Sequence, residues 1–133
     1  MPVKVILDSN FLMIPSQFRI DIFSELRRTL NRRVQIIVLS PVRDELRRIS
    51  LRGNPKTIKQ AERALKIIDD VEVVDIKHNP GESVDDLIIR VAKEWNCPVA
   101  TNDGELRKRL KDIGVSVIYL RQGVHLETEG ILS

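Results

Sequence analysis

Residues Val3–Asn10 read VKVILDSN, a short aliphatic run that stops at Asp8 and passes into the turn-forming residues Ser9 and Asn10. β-branched and aliphatic side chains bounded by such residues predict a strand. In an open α/β sheet, functional groups collect outside the carboxyl ends of the strands. A strand that finishes in a carboxylate therefore predicts both a fold class and the position of a site.

Working outward, further strand-like runs alternate with amphipathic stretches. The strands are read at Val34–Leu39 (VQIIVL), Val71–Ile76 (VEVVDI), Pro98–Ala100 and Val115–Leu120. A helix from about Ser16 to Arg33 places Ile20, Phe23, Leu26 and Leu30 at three- and four-residue intervals. Ser40-Pro41 reads as an N-cap followed by proline at the first helical position, opening a short helix that carries Glu45. Gly53-Asn54-Pro55 ends that helix and starts another, to about Asp70, with Ile58, Ala61, Leu65 and Ile68 as its stripe. The clearest helix runs from Ser83 to about Asn96, and a last one from about Asp103 to Ile113. This alternation predicts one three-layer α/β/α domain over residues 1–133, around a central parallel five-stranded sheet in the order 3-2-1-4-5. The tail Arg121–Ser133 carries no assignable pattern.

Composition narrows the classes. The hydrophobic fraction is 42% and the mean hydropathy −0.15, and no apolar run approaches the ~20 residues needed to span a bilayer. The N-terminus has no signal-peptide pattern. These features lead us to expect a cytoplasmic, non-membrane protein. Charged residues make up 31%, above the roughly 25% of an ordinary domain. Cys97 stands alone, so no internal disulfide can form, and next to Pro98 it reads as a small apolar residue. His78 and His125 are isolated and read as surface residues.

Four acids sit at element boundaries: Asp8, Glu45 in SPVRDEL, Asp85 in SVDDLI and Asp103 in TNDGEL. Each alone has an ordinary reading. Asp8 could open a turn, and Glu45 could pair with the arginines around it on a solvated helix. Asp85 and Asp86 could simply favour a helix N-terminus. Ser83 and Asp86 have capping-box spacing, which accounts for Asp86 and leaves Asp85 for a site. Asn102 and Glu105 form a similar pair, which would put Asp103 at the first helical position. On the sheet order above, all four acids would meet at the carboxyl edge. Such a cluster repels itself and calls for a cation. All-oxygen donors suit Mg²⁺ or Mn²⁺, and the absence of a Cys/His set argues against structural zinc. Two such ions about 3.5–4 Å apart would serve phosphodiester hydrolysis.

These segments resemble, in order, the motifs of the PIN-domain ribonucleases. LDSN (Leu7–Asn10) is similar to the family's first-strand motif, with Asp8 the first acid and Asn10 its polar neighbour. PVRDEL (Pro41–Leu46) resembles the P-x-x-x-E-L segment, which makes Glu45 the second acid. VDDLIIRVA (Val84–Ala92) resembles the D-x-L-I helix opening and selects Asp85, and ATNDGEL (Ala100–Leu106) resembles the T-x-D motif, with Thr101 supporting Asp103. The paired Asp85-Asp86 and the TND sequence are also similar to a subgroup related to the nuclease of small-subunit ribosomal RNA processing. The resemblance implies a PIN-like fold and metal-dependent cleavage of RNA, with a ribosomal RNA precursor as the first substrate expected. It implies that Asp8, Glu45, Asp85 and Asp103 hold the metal, with Asn10, Thr101 and Asp86 as the supporting groups around them. It also allows a homodimer, an assembly factor or an antitoxin as partner.

The charge is mildly basic, +3 overall. Arg27, Arg28, Arg32 and Arg33 gather at one helix end; Arg43, Arg47, Arg48 and Arg52 follow Glu45's helix; Lys56, Lys59 and Arg63 continue on the next. Arg107, Lys108, Arg109 and Lys111 follow Asp103. Arg43, Arg47, Arg48 and Arg107 are the residues expected to hold RNA phosphates. Aromatics are scarce at 4%, so readout by base stacking is poorly supported. Three rivals stand beside ribosomal RNA maturation: a VapC-type toxin ribonuclease, a non-catalytic RNA-binding or assembly module, and a phospho-acceptor signalling domain. The last lacks an obvious phosphate-binding lysine at a strand end.

Overall fold

The computed structural model describes residues 2–18, 20–121 and 125–130. β1 (Val3–Leu7) lies inside the sheet between β2 (Val34–Leu39) and β4 (Val99–Ala100). β3 (Glu72–Val74) pairs with β2, β5 (Val117–Arg121) with β4, and β6 (His125–Glu129) with β5. The first five strands run parallel in the expected order 3-2-1-4-5, and β6 adds an antiparallel edge. Val5, Ile6 and Leu7 are fully buried, as befits a parallel strand covered by helices on both faces.

The sixth strand was not anticipated. Of its described side chains only Leu126 is buried, so the HLETE sequence lacks the alternating apolar pattern that announces a strand. It is held by its ladder to β5, from Val117 opposite Glu129 to Arg121 opposite His125.

Seven helices are described: α1 (Ser9–Leu12), α2 (Ile14–Phe18), α3 (Ile22–Leu30), α4 (Ser40–Arg52), α5 (Pro55–Ile68), α6 (Val84–Trp95) and α7 (Gly104–Asp112). The single helix expected from about Ser16 to Arg33 is instead shared between the end of α2 and the separate α3, and α1 precedes both. The chain turns helical directly after Asp8, and Phe11, Leu12 and Ile14 enter the core. Asp21 then caps a new helix, accepting from the Phe23 and Ser24 amides at 3.2 Å, and Asn31 ends it in the left-handed conformation.

Ser40 also departs from expectation, since Leu39 is the N-cap of α4. The Ser40 hydroxyl accepts from the Ile76 amide at 3.1 Å and donates to the Ile76 carbonyl at 3.3 Å. It thereby ties the chain beyond β3 to the carboxyl edge of β2. Of the capping pairs, Ser83–Asp86 forms as expected, both reciprocal bonds being present.

Gly53 joins α4 to α5 by close approach. A Cβ there would collide with Thr57 Oγ1 and lie 2.9 Å from the Ile49 carbonyl oxygen. Thr57 is itself held by the Asn54 cap, its amide donating to Asn54 Oδ1 at 2.9 Å. Gly53→Ala should therefore lower stability by about 1–3 kcal/mol, the usual range for overpacking. Urea denaturation checks this, and an unchanged midpoint would show that the turn opens freely. No helix among the described residues is long and apolar enough to cross a membrane.

Candidate active site at the carboxyl edge of the sheet

The register of the central strands sets the site. Leu7 lies opposite Ala100, the Asp8 amide donates to the Ala100 carbonyl at 3.0 Å, and the Thr101 amide donates to the Ile118 carbonyl at 3.0 Å. Asp8 and Thr101 therefore emerge side by side where β1 and β4 end. Thr101 is fully buried; its hydroxyl donates to Asp8 Oδ2 at 2.9 Å and accepts from the Asp103 amide at 3.1 Å. One hydroxyl thus links two of the four acids.

Asp8 receives two further bonds, from the Ser9 amide to Oδ1 at 2.8 Å and from Asn10 Nδ2 to Oδ2 at 3.0 Å. Asn10 Oδ1 accepts from the Asn102 amide at 2.9 Å, clamping the turn after β1 to the turn after β4. With only 3% of its surface exposed, Asp8 is nonetheless hard to ionise. Burial pushes its carboxyl up to about 6; the Thr101 and Ser9 hydrogen bonds oppose this, and the charges of Asp85 and Glu45 add to it.

The other acids arrive from three helices. Glu45 projects from α4, and Ser9 donates its hydroxyl to Glu45 Oε1. Asp85 lies in the first turn of α6, half-buried. Its carboxyl is raised by burial first, then by Asp103 and Glu45, against an opposing pull from Arg109. Asp103 is the N-cap of α7, its Oδ1 accepting from the Glu105 and Leu106 amides at 2.9 and 3.2 Å. This corrects the expected capping by Asn102, whose side chain instead accepts from the Leu120 amide at 2.7 Å.

The four acids are therefore linked electrostatically through Asp85: Asp85 and Glu45 act on Asp8, and Asp103 and Glu45 act on Asp85. Asp86 is directed elsewhere. It completes the capping box with Ser83 and accepts from Arg109 Nη2 at 2.6 Å, which holds its carboxyl below the usual range. No bond from Asp86 to the other acids is formed, so its influence on them is through Arg109 and through charge.

Two residues that bear on the site were not singled out from sequence. Ser9 was visible as a hydroxyl beside Asp8, but only the fold shows that Glu45 is its partner. Arg109 stood in a basic run with no sign that it alone would be bound to α6. Among the expected RNA contacts, Arg43 lies 3.4 Å and Arg47 3.8 Å from Asp44, and Arg48 is exposed. Arg107 sits over the Tyr119 ring at 4.1 Å and lies 3.9 Å from Glu129, on the β5–β6 side.

His78 is exposed, its Nδ1 lying 2.9 Å from the Glu82 carbonyl oxygen, while the side chain of His125 lies outside the described residues. Cys97 is buried, donates to the Trp95 carbonyl at 3.4 Å, and has its thiol pushed up by burial. Among the described residues no three Asp, Glu, His or Cys side chains are placed so as to hold a metal ion between them. The donor set is nevertheless all oxygen and mutually repelling, which fits a hard divalent cation.

Residues 5–123 match the family model described as a PIN like domain, and the chain belongs to that family. It is 34% identical over 134 residues to ribonuclease VapC4 of Methanocaldococcus jannaschii, covering 97% of this chain and 98% of that protein. Ribonuclease VapC9 of Archaeoglobus fulgidus is 31% identical over 119 residues, 88% of this chain and 82% of that one. The solved structure of the PIN domain endonuclease Utp24 matches with a TM-score of 0.82 at 27% identity, covering 99% and 95% of the two chains.

Proposed function

We propose that this chain is a divalent-metal-dependent endoribonuclease. The observation that carries the reading is the convergence of Asp8, Glu45, Asp85 and Asp103 at the sheet edge, two of them with raised carboxyls. Paying an electrostatic cost to hold repelling acids together makes sense where a cation joins them. Asp8, Glu45, Asp85 and Asp103 would hold Mg²⁺ or Mn²⁺, directly or through water. Bound there, the ion supplies Lewis-acid activation of a water for attack on a phosphodiester and stabilises the leaving oxygen.

The remaining work falls to the chain itself. Thr101 and Asn10 keep the Asp8 carboxylate in one orientation, and Ser9 does the same for Glu45. Asp86 keeps Arg109 at the rim beside Asp85. Arg43, Arg47 and Arg48 on α4, with Arg107, carry charge toward an RNA backbone. RNA as substrate draws on the ribonucleases that this chain is similar to.

Within that class we favour maturation of a ribosomal RNA precursor, from the TND and paired-aspartate likeness to the small-subunit processing nuclease. The second reading is a VapC-type ribonuclease with an antitoxin partner, favoured by the 34% identity to VapC4.

Titration with Mn²⁺ tests the metal and the cleavage together. We expect saturable binding that stabilises the protein by about 2.7 kcal/mol at a hundredfold excess over Kd, with cutting of a structured ribosomal RNA fragment. Asp103→Asn should lose both. Stabilisation that persists in Asp103→Asn would place the ion elsewhere. Cutting of messenger or transfer RNA in preference to the ribosomal fragment would favour the VapC-type reading.

A further inference from the structure

We infer that the outer face of the α4–α5 helical hairpin is a docking surface for double-stranded RNA, separate from the acids that would cleave it. This rests on the endoribonuclease reading for its biological sense, though its test does not depend on cleavage.

Charge distribution is the first observation. Residues 40–68 hold eight Arg or Lys against three Asp or Glu, while the rest of the chain holds fourteen against sixteen. The net positive charge of the whole protein therefore resides in this one hairpin. On α5, Lys56, Lys59, Arg63 and Lys66 are all exposed. Their i, i+3, i+7, i+10 spacing places them on one face, along about 15 Å of helix axis. Among the described residues none of the four forms an ion pair. Arg47, Arg48 and Arg52 are exposed on α4, which packs against α5.

Chemistry then chooses among polyanions. Single strands are gripped by aromatic side chains on which bases stack. Residues 40–68 contain no Phe, Tyr or Trp. A stiff row of cations without stacking groups suits the backbone of a paired A-form segment, which is recognised by shape and phosphate position. α4 starts just beyond β2 and carries Glu45, so a duplex lying on the hairpin would lead an adjoining unpaired strand toward the acids. Structured RNA with a duplex flank is thus the substrate class this surface selects.

The test measures binding in EDTA, where no cleavage occurs. The probes are an RNA hairpin of roughly 16 paired positions and an unpaired RNA of equal length. In the variant Lys56→Gln/Lys59→Gln/Arg63→Gln/Lys66→Gln, good helix formers replace exposed cations, so the fold is retained. Hairpin affinity should fall about tenfold or more at roughly 100 mM salt, and its log–log salt slope should shrink by about three to four. Affinity for the unpaired RNA should change by less than about twofold. A second variant, Lys4→Gln/Lys77→Gln/Lys93→Gln/Arg121→Gln, removes the same charge elsewhere and should bind the hairpin as the wild type does. Equal losses in the two variants would reduce the effect to net charge and overturn the assignment. Equal losses for paired and unpaired RNA would overturn the duplex preference. Unchanged RNA binding with altered self-association would make the face a protein interface instead. If the wild type binds the hairpin through these cations yet never cuts RNA, the surface stands and the nuclease reading falls.

Discussion

Asp8→Asn should abolish metal-dependent cleavage, by on the order of a thousandfold, while making the metal-free protein more stable than the wild type at pH 7. The first effect follows from removing the most buried of the four charges that would hold a cation, with electrostatic losses of this kind costing roughly 10²–10³ in rate. The second follows from the environment of the carboxyl. Its value rises from 3.8 to about 6 in the fold, so the folded state resists an ionisation that the unfolded chain accepts. Each unit is about 1.4 kcal/mol, so the ionised form costs the fold about 3 kcal/mol.

Below pH 4 both states are protonated and there is no penalty. Between pH 4 and 6 the unfolded chain ionises first, and the wild type loses stability as pH rises; above 6 the loss is complete. An asparagine escapes this. It must, however, turn an amide nitrogen toward one of the donors from Ser9, Asn10 or Thr101, which costs about 1–2 kcal/mol. The two stability curves should therefore cross, with the variant weaker near pH 4 and stronger by about 1 kcal/mol at pH 7. Urea denaturation in EDTA across this range would show it. Parallel curves would mean that Asp8 ionises in the fold as readily as in water.

The parts of this molecule that were legible in the sequence are those where a local signal and the global fold coincide. Val5, Ile6 and Leu7 are buried, so β1 carries a continuous apolar run and reads as a strand for that reason. Ser83 and Asp86 satisfy one another within four residues, so their capping box could be read from spacing alone. Where the partner is remote, the local signal misled. Ser40 looks like a cap but binds Ile76, and Asn102 looks like a cap but binds Leu120, leaving Asp103 to cap α7 itself. The segment after Asp8 was lost for a related cause. Its helices are short and interrupted by Asp21, so no single 3.6-residue period runs through it. Of the four candidate acids, Asp8, Asp85 and Asp103 stand at element boundaries, whereas Glu45 lies inside α4, past its first turn, and could be singled out only from its segment. The Ser9–Glu45 and Asp86–Arg109 contacts were not readable, since they join residues 36 and 23 positions apart.

Thr101→Val is the most discriminating change around the acids, because it deletes a hydroxyl and almost nothing else. Valine has the same branched shape, so the fully buried site acquires no cavity. The Asp103 amide loses its acceptor and Asp8 loses a donor, a combined cost of about 1–3 kcal/mol in stability. The lost donor is one that favours the charged form of Asp8, so its carboxyl should move further up. Metal affinity should then fall about 10–100-fold, as it does when groups that orient a ligand are removed, and the alkaline rise of the cleavage rate should shift to higher pH. Thr101→Ser keeps the hydroxyl and drops only a methyl group, so it should recover most of the Mn²⁺ affinity. If serine fails as badly as valine, the methyl packing rather than the hydrogen bonds governs the site. If valine binds Mn²⁺ as tightly as threonine, Asp8 and Asp103 do not depend on this hydroxyl for their arrangement, and the link between the ends of β1 and β4 is structural alone.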